Sequence, residues 1–451
     1  MKKNYISYFL LAFIVLFSNC SEANKTPENP VLDFLNLKFG MFIHFNMGTF
    51  HGEQWAKPNH DPKSFAPTNL DCNQWAKAAK AAKMNYAVFT TKHHDGFCLW
   101  DSEVTDYDVA SSSYNGDIVK EYVDAFRKEG IKVGLYFSVW DRQHKIDGGA
   151  VTPEKIEFTK TQLRELLTNY GEIECIVIDG WGSRWCNCPD FVEIPFDTLA
   201  KVIHSIQPNC LIANHSCRTD SAYTQIVHYE ATHGQHCPYD NTIPSQQGPI
   251  LQPMWFWEKG FEDLELKPVK EVISEMNFAN THYANYLLNA APNDKGLMDD
   301  NVVQRLKEIG EAVTFTPPLK SLPKREPVHK DVTAIASSFN DEANRAENVL
   351  DANLYTFWQC EAEDKQPWIE LDFGAPKTFN RVVCGEGYDR GIQKFKIEAL
   401  VNDNWILLTE GGIMKQHFNS AFKEVKAQKF RLTILEYTAM PEVREITFVK
   451  Y

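Results

Sequence analysis

Between Phe39 and Asn289 the chain repeats one pattern, a short apolar run followed by a longer stretch whose apolar residues recur at helical spacing. The candidate strands are Phe39–Phe45, Tyr86–Thr91, Val133–Ser138, Cys175–Asp179, Cys210–Asn214, Ile226–Glu230, a weak run near Met254–Trp257, and Asn285–Asn289. Amphipathic stretches lie between them, among them Cys72–Lys83, Ile118–Glu129, Pro153–Tyr170, Phe196–Ile206, Pro268–Ala279 and Asn301–Val313. Eight β-type runs separated by helical ones read as an α/β chain of the (β/α)8-barrel class, with a doubly wound sheet as the alternative.

A barrel places its functional residues at the C-terminal ends of its strands. Run after run ends there in polar side chains: His44, then Lys92-His93-His94-Asp95, Ser138, Asp179, Asn214-His215, Glu230 and Asn289. A core alone has no need of that convergence.

The segment "TPPLKSLPKREP", Thr316–Pro327, breaks helix repeatedly and marks a boundary. It puts the barrel domain at 31–318, a linker at 319–328 and a second domain at 329–451. In that last part, short runs with period-two alternation, such as "WIELDFG" and "KFRLTIL", predict an all-β sandwich.

The first residues, "MKKNYISYFLLAFIVLFSNCSE", combine a basic start, an apolar run too short to span a bilayer, and a cysteine. Residues 1–20 read as a signal peptide of lipoprotein type with Cys20 as the lipidation site, and 21–30 as a tether. Ordinary secretory cleavage nearby is the alternative. The expected location is the periplasm or cell surface of a bacterium, with membrane contact only through the lipid. A net charge of −14 without any polybasic block argues against nucleic acid and anionic lipid as partners. The cysteines beyond Cys20 are scattered; most are expected as buried thiols, and Cys186-Asn187-Cys188 lacks the second pair a zinc site would need.

Asp179 follows four apolar residues and precedes Gly180-Trp181-Gly182, so a carboxylate stands at the barrel mouth beside an aromatic wall. A retaining glycosidase needs such a nucleophile together with a second carboxyl that protonates the leaving oxygen. Glu230, in "IVHYEATHGQH", ends another strand among aromatic and apolar neighbours that would raise its pKa. Glu53 and Glu258 are rival acids. The cluster His228, Glu230, His233 and His236 allows a metal reading, but its spacing is not H-E-x-x-H. His93 and His94 admit three roles: metal ligands, an acid–base pair, or a grip on a polyhydroxylated ligand. Neighbours on a strand point in opposing directions, so both reach one ligand only where the backbone turns. Trp55, Tyr136 and Trp255 would supply apolar surface to a sugar face.

The motifs "FGMFIHF", "AVFTTKHHDGFCLWDS", "GLYFS", "IECIVIDG" and "YANYLLNAAPNDKGLMDDNVVQRLKEIGE" resemble, in that order, those of the α-L-fucosidases of glycoside hydrolase family 29. The resemblance covers roughly Leu35 to Val313. It implies retaining hydrolysis of terminal α-linked L-fucose without metal or organic cofactor, with fucosylated oligosaccharides or glycoconjugates as partners. It carries the nucleophile onto Asp179, the acid/base onto Glu230 as nearest match, and hydroxyl contacts onto His44, His93 and His94; Trp55 and Tyr136 match more loosely. Two departures stand out. Val177 replaces an aromatic two residues before the nucleophile, and no Glu follows strand 5, where one branch of the family has its acid and this chain reads "ANHSCRTD". The stretch "ENVLDANLYTFWQCEAEDKQPWIELDFGAPKTFNRVV" is similar to discoidin-like (coagulation factor 5/8 type C) domains, which bind sugar, in some cases with a structural calcium, or brace a catalytic domain.

The sequence therefore reads as an exo-α-L-fucosidase. A retaining α-galactosidase-like barrel and a non-catalytic glycan-binding lipoprotein are the alternatives.

Overall fold

The computed structural model describes residues 29–450, apart from 184–185, 192, 216–223, 240, 323–328, 330, 352–355, 387–390 and 415–417. Cys20, the leader and most of the tether lie outside the described residues.

Eight parallel strands close into a barrel in chain order: β1 (Phe39–Ile43), β2 (Tyr86–Lys92), β3 (Lys132–Ser138), β4 (Cys175–Asp179), β5 (Leu211–His215), β6 (Ile226–Glu230), β7 (Ser245–Gly248) and β8 (Ala284–Asn289). The ring is completed by β8 against β1, where Asn289 pairs with Phe42. Helices α1 (Pro30–Leu37), α2 (Met47–His51), α3 (Cys72–Ala81), α4 (Ile118–Lys128), α5 (Pro153–Asn169), α6 (Phe196–Ile206), α7 (Val269–Thr281) and α8 (Asp300–Ala312) complete the domain. Their starts are set locally: Asp71 accepts from two backbone N–H groups of α3, Asp117 caps α4, and Thr152 with Pro153 opens α5.

Residues of strands such as "FGMFI" and "CIVID" are enclosed on both faces, which is why their sequences are apolar throughout rather than alternating. One face packs on the helices in the large outer core. The other fills the barrel, where Phe42, Tyr86, Val88, Tyr136, Val177 and Leu287 meet. Phe34 of α1 belongs to the same inner cluster and closes the barrel end opposite the strand C-termini.

Two expectations are corrected. The seventh strand is not near Met254–Trp257 but at Ser245–Gly248, "SQQG". Its polar side chains are satisfied inside the protein: Gln246 donates to the Tyr86 hydroxyl at 2.8 Å, and Gln247 accepts from the Cys237 N–H at 3.0 Å. The helical spacing also fails between β5, β6 and β7, where among the described residues there is only the three-residue 3-10 turn Ala231–His233.

The start of the linker is fastened to the barrel. Lys38 Nζ donates to Thr316 Oγ1 at 2.6 Å and to the Pro317 carbonyl at 2.8 Å, and Asn36 bonds both ways with Leu319.

The second domain is antiparallel: β9 (Thr333–Ala336), β10 (Trp358–Gln359), β11 (Trp368–Glu386), β12 (Ile392–Val401), β13 (Asn404–Gly411), β14 (Phe418–Tyr437) and β15 (Glu442–Val449). The long strands β11 and β14 serve both layers of a discoidin-like sandwich. Near its start β11 pairs with β9, near its end with β15, and its register with β14 slips between Asp372 and Lys377, where the chain passes between layers. Ile369, Leu371, Phe395, Phe430 and Phe448 pack between the layers.

Candidate active site

A cavity of about 550 Å³ opens at the C-terminal ends of the barrel strands. His44 follows β1, His93 and His94 follow β2, Asp179 ends β4, His215 ends β5 and Glu230 ends β6; all of them line it. The backbone leaves the strand at Lys92, so the His93 and His94 rings lie on one side with centroids 4.1 Å apart. Lys92 and Asp95 turn away: Lys92 is buried in an ion pair with Asp141 at 3.1 Å, and Asp95 accepts from the Phe97 N–H.

Asp179 is held from two directions. Tyr136 donates its hydroxyl to Oδ2 at 2.7 Å, and the Gly180 N–H donates to Oδ1 at 2.5 Å. Burial pushes its pKa above the usual carboxylate range, against the opposing pull of the His215 charge and the Tyr136 hydrogen bond. Gly180 has φ +62°, and a Cβ there would stand 2.5 Å from Trp140 Cβ. Only glycine gives the turn that places this carboxylate.

Glu230 is gripped through Oε1 by His233 Nδ1 at 2.8 Å and the Thr232 hydroxyl at 2.9 Å; Oε2 faces His215 Nε2 at 3.0 Å. The other nitrogen of His215 lies 3.5 Å from Asp179 Oδ2. One imidazole thus stands between the two carboxylates.

His44, His93 and His94 are neutral, and the tautomers of His44 and His94 follow from their partners. Asn289 donates Nδ2–H to the Trp255 carbonyl at 2.9 Å, so its Oδ1 accepts from His44 Nδ1 at 2.7 Å. Ser138 spends its proton on the Trp140 carbonyl, so its oxygen accepts from His94 Nδ1 at 2.7 Å. In both rings Nε2 is left as an acceptor, suited to a sugar hydroxyl. Burial pulls His44 and His93 well below the ordinary value and His94 down to about 3.

Trp55, 47% exposed, stands at the mouth with its edge toward Trp140 and His94. Trp255 lies 4.9 Å from the His44 ring. Gln54 ties the two loops together, donating to the Phe256 carbonyl and Glu258 Oε1 and accepting from the Phe256 N–H. Glu258 is thereby engaged outside the cavity lining. Glu53 is too: His60 at 3.0 Å and the Lys57 N–H at 2.9 Å outweigh its burial and bring it to about 2. Tyr136 is fully buried beneath the cavity and outside its lining, its hydroxyl on Asp179. Val177 belongs to the inner core, and Trp55 and Trp255 furnish the aromatic wall instead.

His215, Asn289 and Gln54 belong to this constellation but were not singled out among the candidates; the signal for the first two was their position at strand ends. A disulfide joins Cys186 to Cys188 at the cavity wall, while the other seven cysteines among the described residues are buried thiols. No group of three or more His, Cys, Asp or Glu side chains with metal-binding geometry occurs among the described residues, the His228–His236 cluster included.

The sequence profile of the α-L-fucosidase family matches residues 20–315, and that of the F5/8 type C domain matches residues 333–446. The chain belongs to the α-L-fucosidase family. It is a glycoside hydrolase of family 29 with a discoidin-like domain behind its barrel. This fucosidase is 29% identical over 433 residues to α-L-fucosidase 1 of Arabidopsis thaliana, covering 88% of this chain and 82% of that one. It is 26% identical over 351 residues to the tissue α-L-fucosidase of Bos taurus, covering 65% and 71%. Among solved structures, a family 29 fucosidase of Ruminococcus gnavus in complex with fucose superimposes with a TM-score of 0.54, at 23% identity and 94% coverage of both chains.

Proposed function

We propose that this fucosidase is a retaining exo-enzyme that releases terminal α-linked L-fucose from glycans by double displacement. Asp179 attacks the anomeric carbon as the glycosidic bond breaks, and Glu230 protonates the departing oxygen. Glu230 then takes a proton from water, which displaces Asp179 from the fucosyl ester. The observation that carries this reading is the pair of carboxylates, part-buried Asp179 at the end of β4 and buried Glu230 at the end of β6, facing one cavity across the His215 ring. Neutral His44 and His94 offer Nε2 acceptors to the hydroxyls, and no step calls on a metal or organic cofactor.

The test is proton NMR of the first sugar released from an aryl α-L-fucoside. Retention gives α-L-fucose before mutarotation; initial β-L-fucose would refute the double displacement. An aryl α-galactoside in the same assay separates the galactosidase reading, and a panel of α-1,2-linked and branched fucosylated oligosaccharides sorts the linkage. The proposal includes export and lipidation at Cys20, for which Cys20→Ser should move the protein out of the membrane fraction.

A further inference from the structure

His215 presents one nitrogen to each carboxylate, Nε2 to Glu230 at 3.0 Å and Nδ1 to Asp179 at 3.5 Å. An ionised carboxylate only accepts, and a neutral imidazole has one donor and one acceptor nitrogen. Two carboxylates this close to one imidazole, one beside each nitrogen, favour its doubly protonated form over the neutral ring. That cation in turn favours the ionised form of Glu230, the group that must deliver a proton to the leaving oxygen.

We propose that His215 is the proton reservoir of the acid/base step, holding the proton that Glu230 passes to the leaving group. The proposal rests on the reading of Glu230 as acid/base. As the bond between C1 and the leaving oxygen breaks, the proton on His215 Nε2 passes through Glu230 to that oxygen. Asp179 loses its charge by bonding to C1 in the same step in which His215 loses its own, so the summed charge of Asp179, Glu230 and His215 is the same before and after the bond breaks. In the second half, water adds to C1 and the Asp179 ester bond breaks. The water proton returns through Glu230 to His215, which restores the starting charges.

The surroundings fit a charge on this ring. Among the described residues, the titratable groups facing it are Tyr136 of β3, Asp179 of β4, Glu230 and His228 of β6, His44 after β1, and His93 and His94 after β2. Burial opposes the charge, but the two carboxylates outweigh burial and bring His215 up to about 9, while burial takes His228 and His94 down to about 3.

His215 is also backed from inside the barrel. Its ring packs 4.2 Å from that of His228, whose Nδ1 is 3.0 Å from Gln246 Oε1. Gln246 donates to the Tyr86 hydroxyl, Tyr86 donates to Asn285, and Asn285 donates to the Phe34 carbonyl at the closed end. Each donor in that chain is committed, so Gln246 Oε1 accepts and His228 carries its proton on Nδ1. A Cβ on Gly248 would come within 2.6 Å of the His228 ring, so a glycine there gives the ring its room.

His215 acts through Glu230 and is a positioning residue, and the readout is therefore the pH profile of kcat/KM. With a fucoside of a poor leaving group, the wild-type basic limb should fall at pH 8 or above; a limb below pH 7 overturns the proposal without any variant. His215→Gln should move that limb down by a unit or more. It should cost about 10²-fold at pH 8 with the poor leaving group, in the range typical of acid–base catalysis, and far less with a dinitrophenyl fucoside. An unmoved limb with equal losses on both substrates contradicts it. Rescue of Glu230→Ala by azide, yielding the fucosyl azide of retained configuration, reports separately on Glu230. Failure of that rescue sinks the Glu230 assignment, whereas rescue with an unmoved His215→Gln limb sinks only the reservoir.

Discussion

Tyr136, enclosed by the barrel core, donates its hydroxyl to Asp179 Oδ2 at 2.7 Å, so a β3 side chain sets the state of the β4 carboxylate. That bond favours ionised Asp179 against a burial that disfavours it. Tyr136→Phe removes the donor and keeps the ring. The Asp179 pKa then rises, and the acid limb of kcat/KM moves to higher pH. A hydrogen bond to a charged group is worth about 1.5–3 kcal/mol, so the plateau rate should fall by roughly 10- to 100-fold. A pH–rate series on an aryl α-L-fucoside reads both effects.

Ser138 and Asn289 act on the histidines rather than on the sugar. Ser138→Ala leaves His94 Nδ1 without its acceptor, and Asn289→Ala does the same to His44 while releasing the Trp255 carbonyl. Each should raise KM about fivefold or more, the worth of one neutral hydrogen bond, with a smaller change in kcat. Steady-state kinetics that show the loss wholly in kcat would contradict the tautomer assignment.

Gly180→Ala combines an unfavourable φ with a collision against Trp140. It should destabilise the barrel by about 2 kcal/mol or more and displace Asp179. Calorimetry should show a lower barrel transition, with the discoidin-like domain unchanged.

Lys92 and Asp141 form an ion pair with no exposed side-chain surface, and Gln162 accepts from the same ammonium at 2.8 Å. Burial would raise the Asp141 pKa, but Lys92 and His144 hold it below its ordinary value. This pair therefore stabilises the fold above the unfolded carboxylate pKa, and that stability is lost as the pH falls through the lower folded value. Lys92→Met should cost roughly 3–5 kcal/mol at neutral pH by leaving Asp141 buried without its cation, and Lys92→Met with Asp141→Asn should recover part of it. Urea titrations of the single and double variants measure the difference.

Much of this was legible in the sequence because barrel strands buried on both faces are apolar runs, and because polar residues at their ends have no structural reason to recur. β7 was illegible for the opposite reason. Gln246 and Gln247 are polar residues satisfied inside the protein, while the apolar run Met254–Trp257 belongs to a loop that walls the cavity. Asp179 and Glu230 stood out by their positions, but nothing local in the sequence shows that Glu53 is bound to His60 and Lys57 or Glu258 to Gln54. Those contacts are made by loops whose paths periodicity does not describe. The role of Tyr136 beneath Asp179 was hidden likewise, since an inward tyrosine in a strand reads as surface for a ligand until its hydroxyl partner is known.

The most direct test is to trap the covalent intermediate. A 2-deoxy-2-fluoro-fucosyl fluoride slows both steps, the second more than the first, and the labelled enzyme is then digested and mapped by mass spectrometry. Double displacement through Asp179 predicts one added fluorofucosyl group, on the peptide that carries Asp179, and none on Asp179→Asn. A label on another carboxylate, or stoichiometric turnover with no trapped adduct, would contradict it.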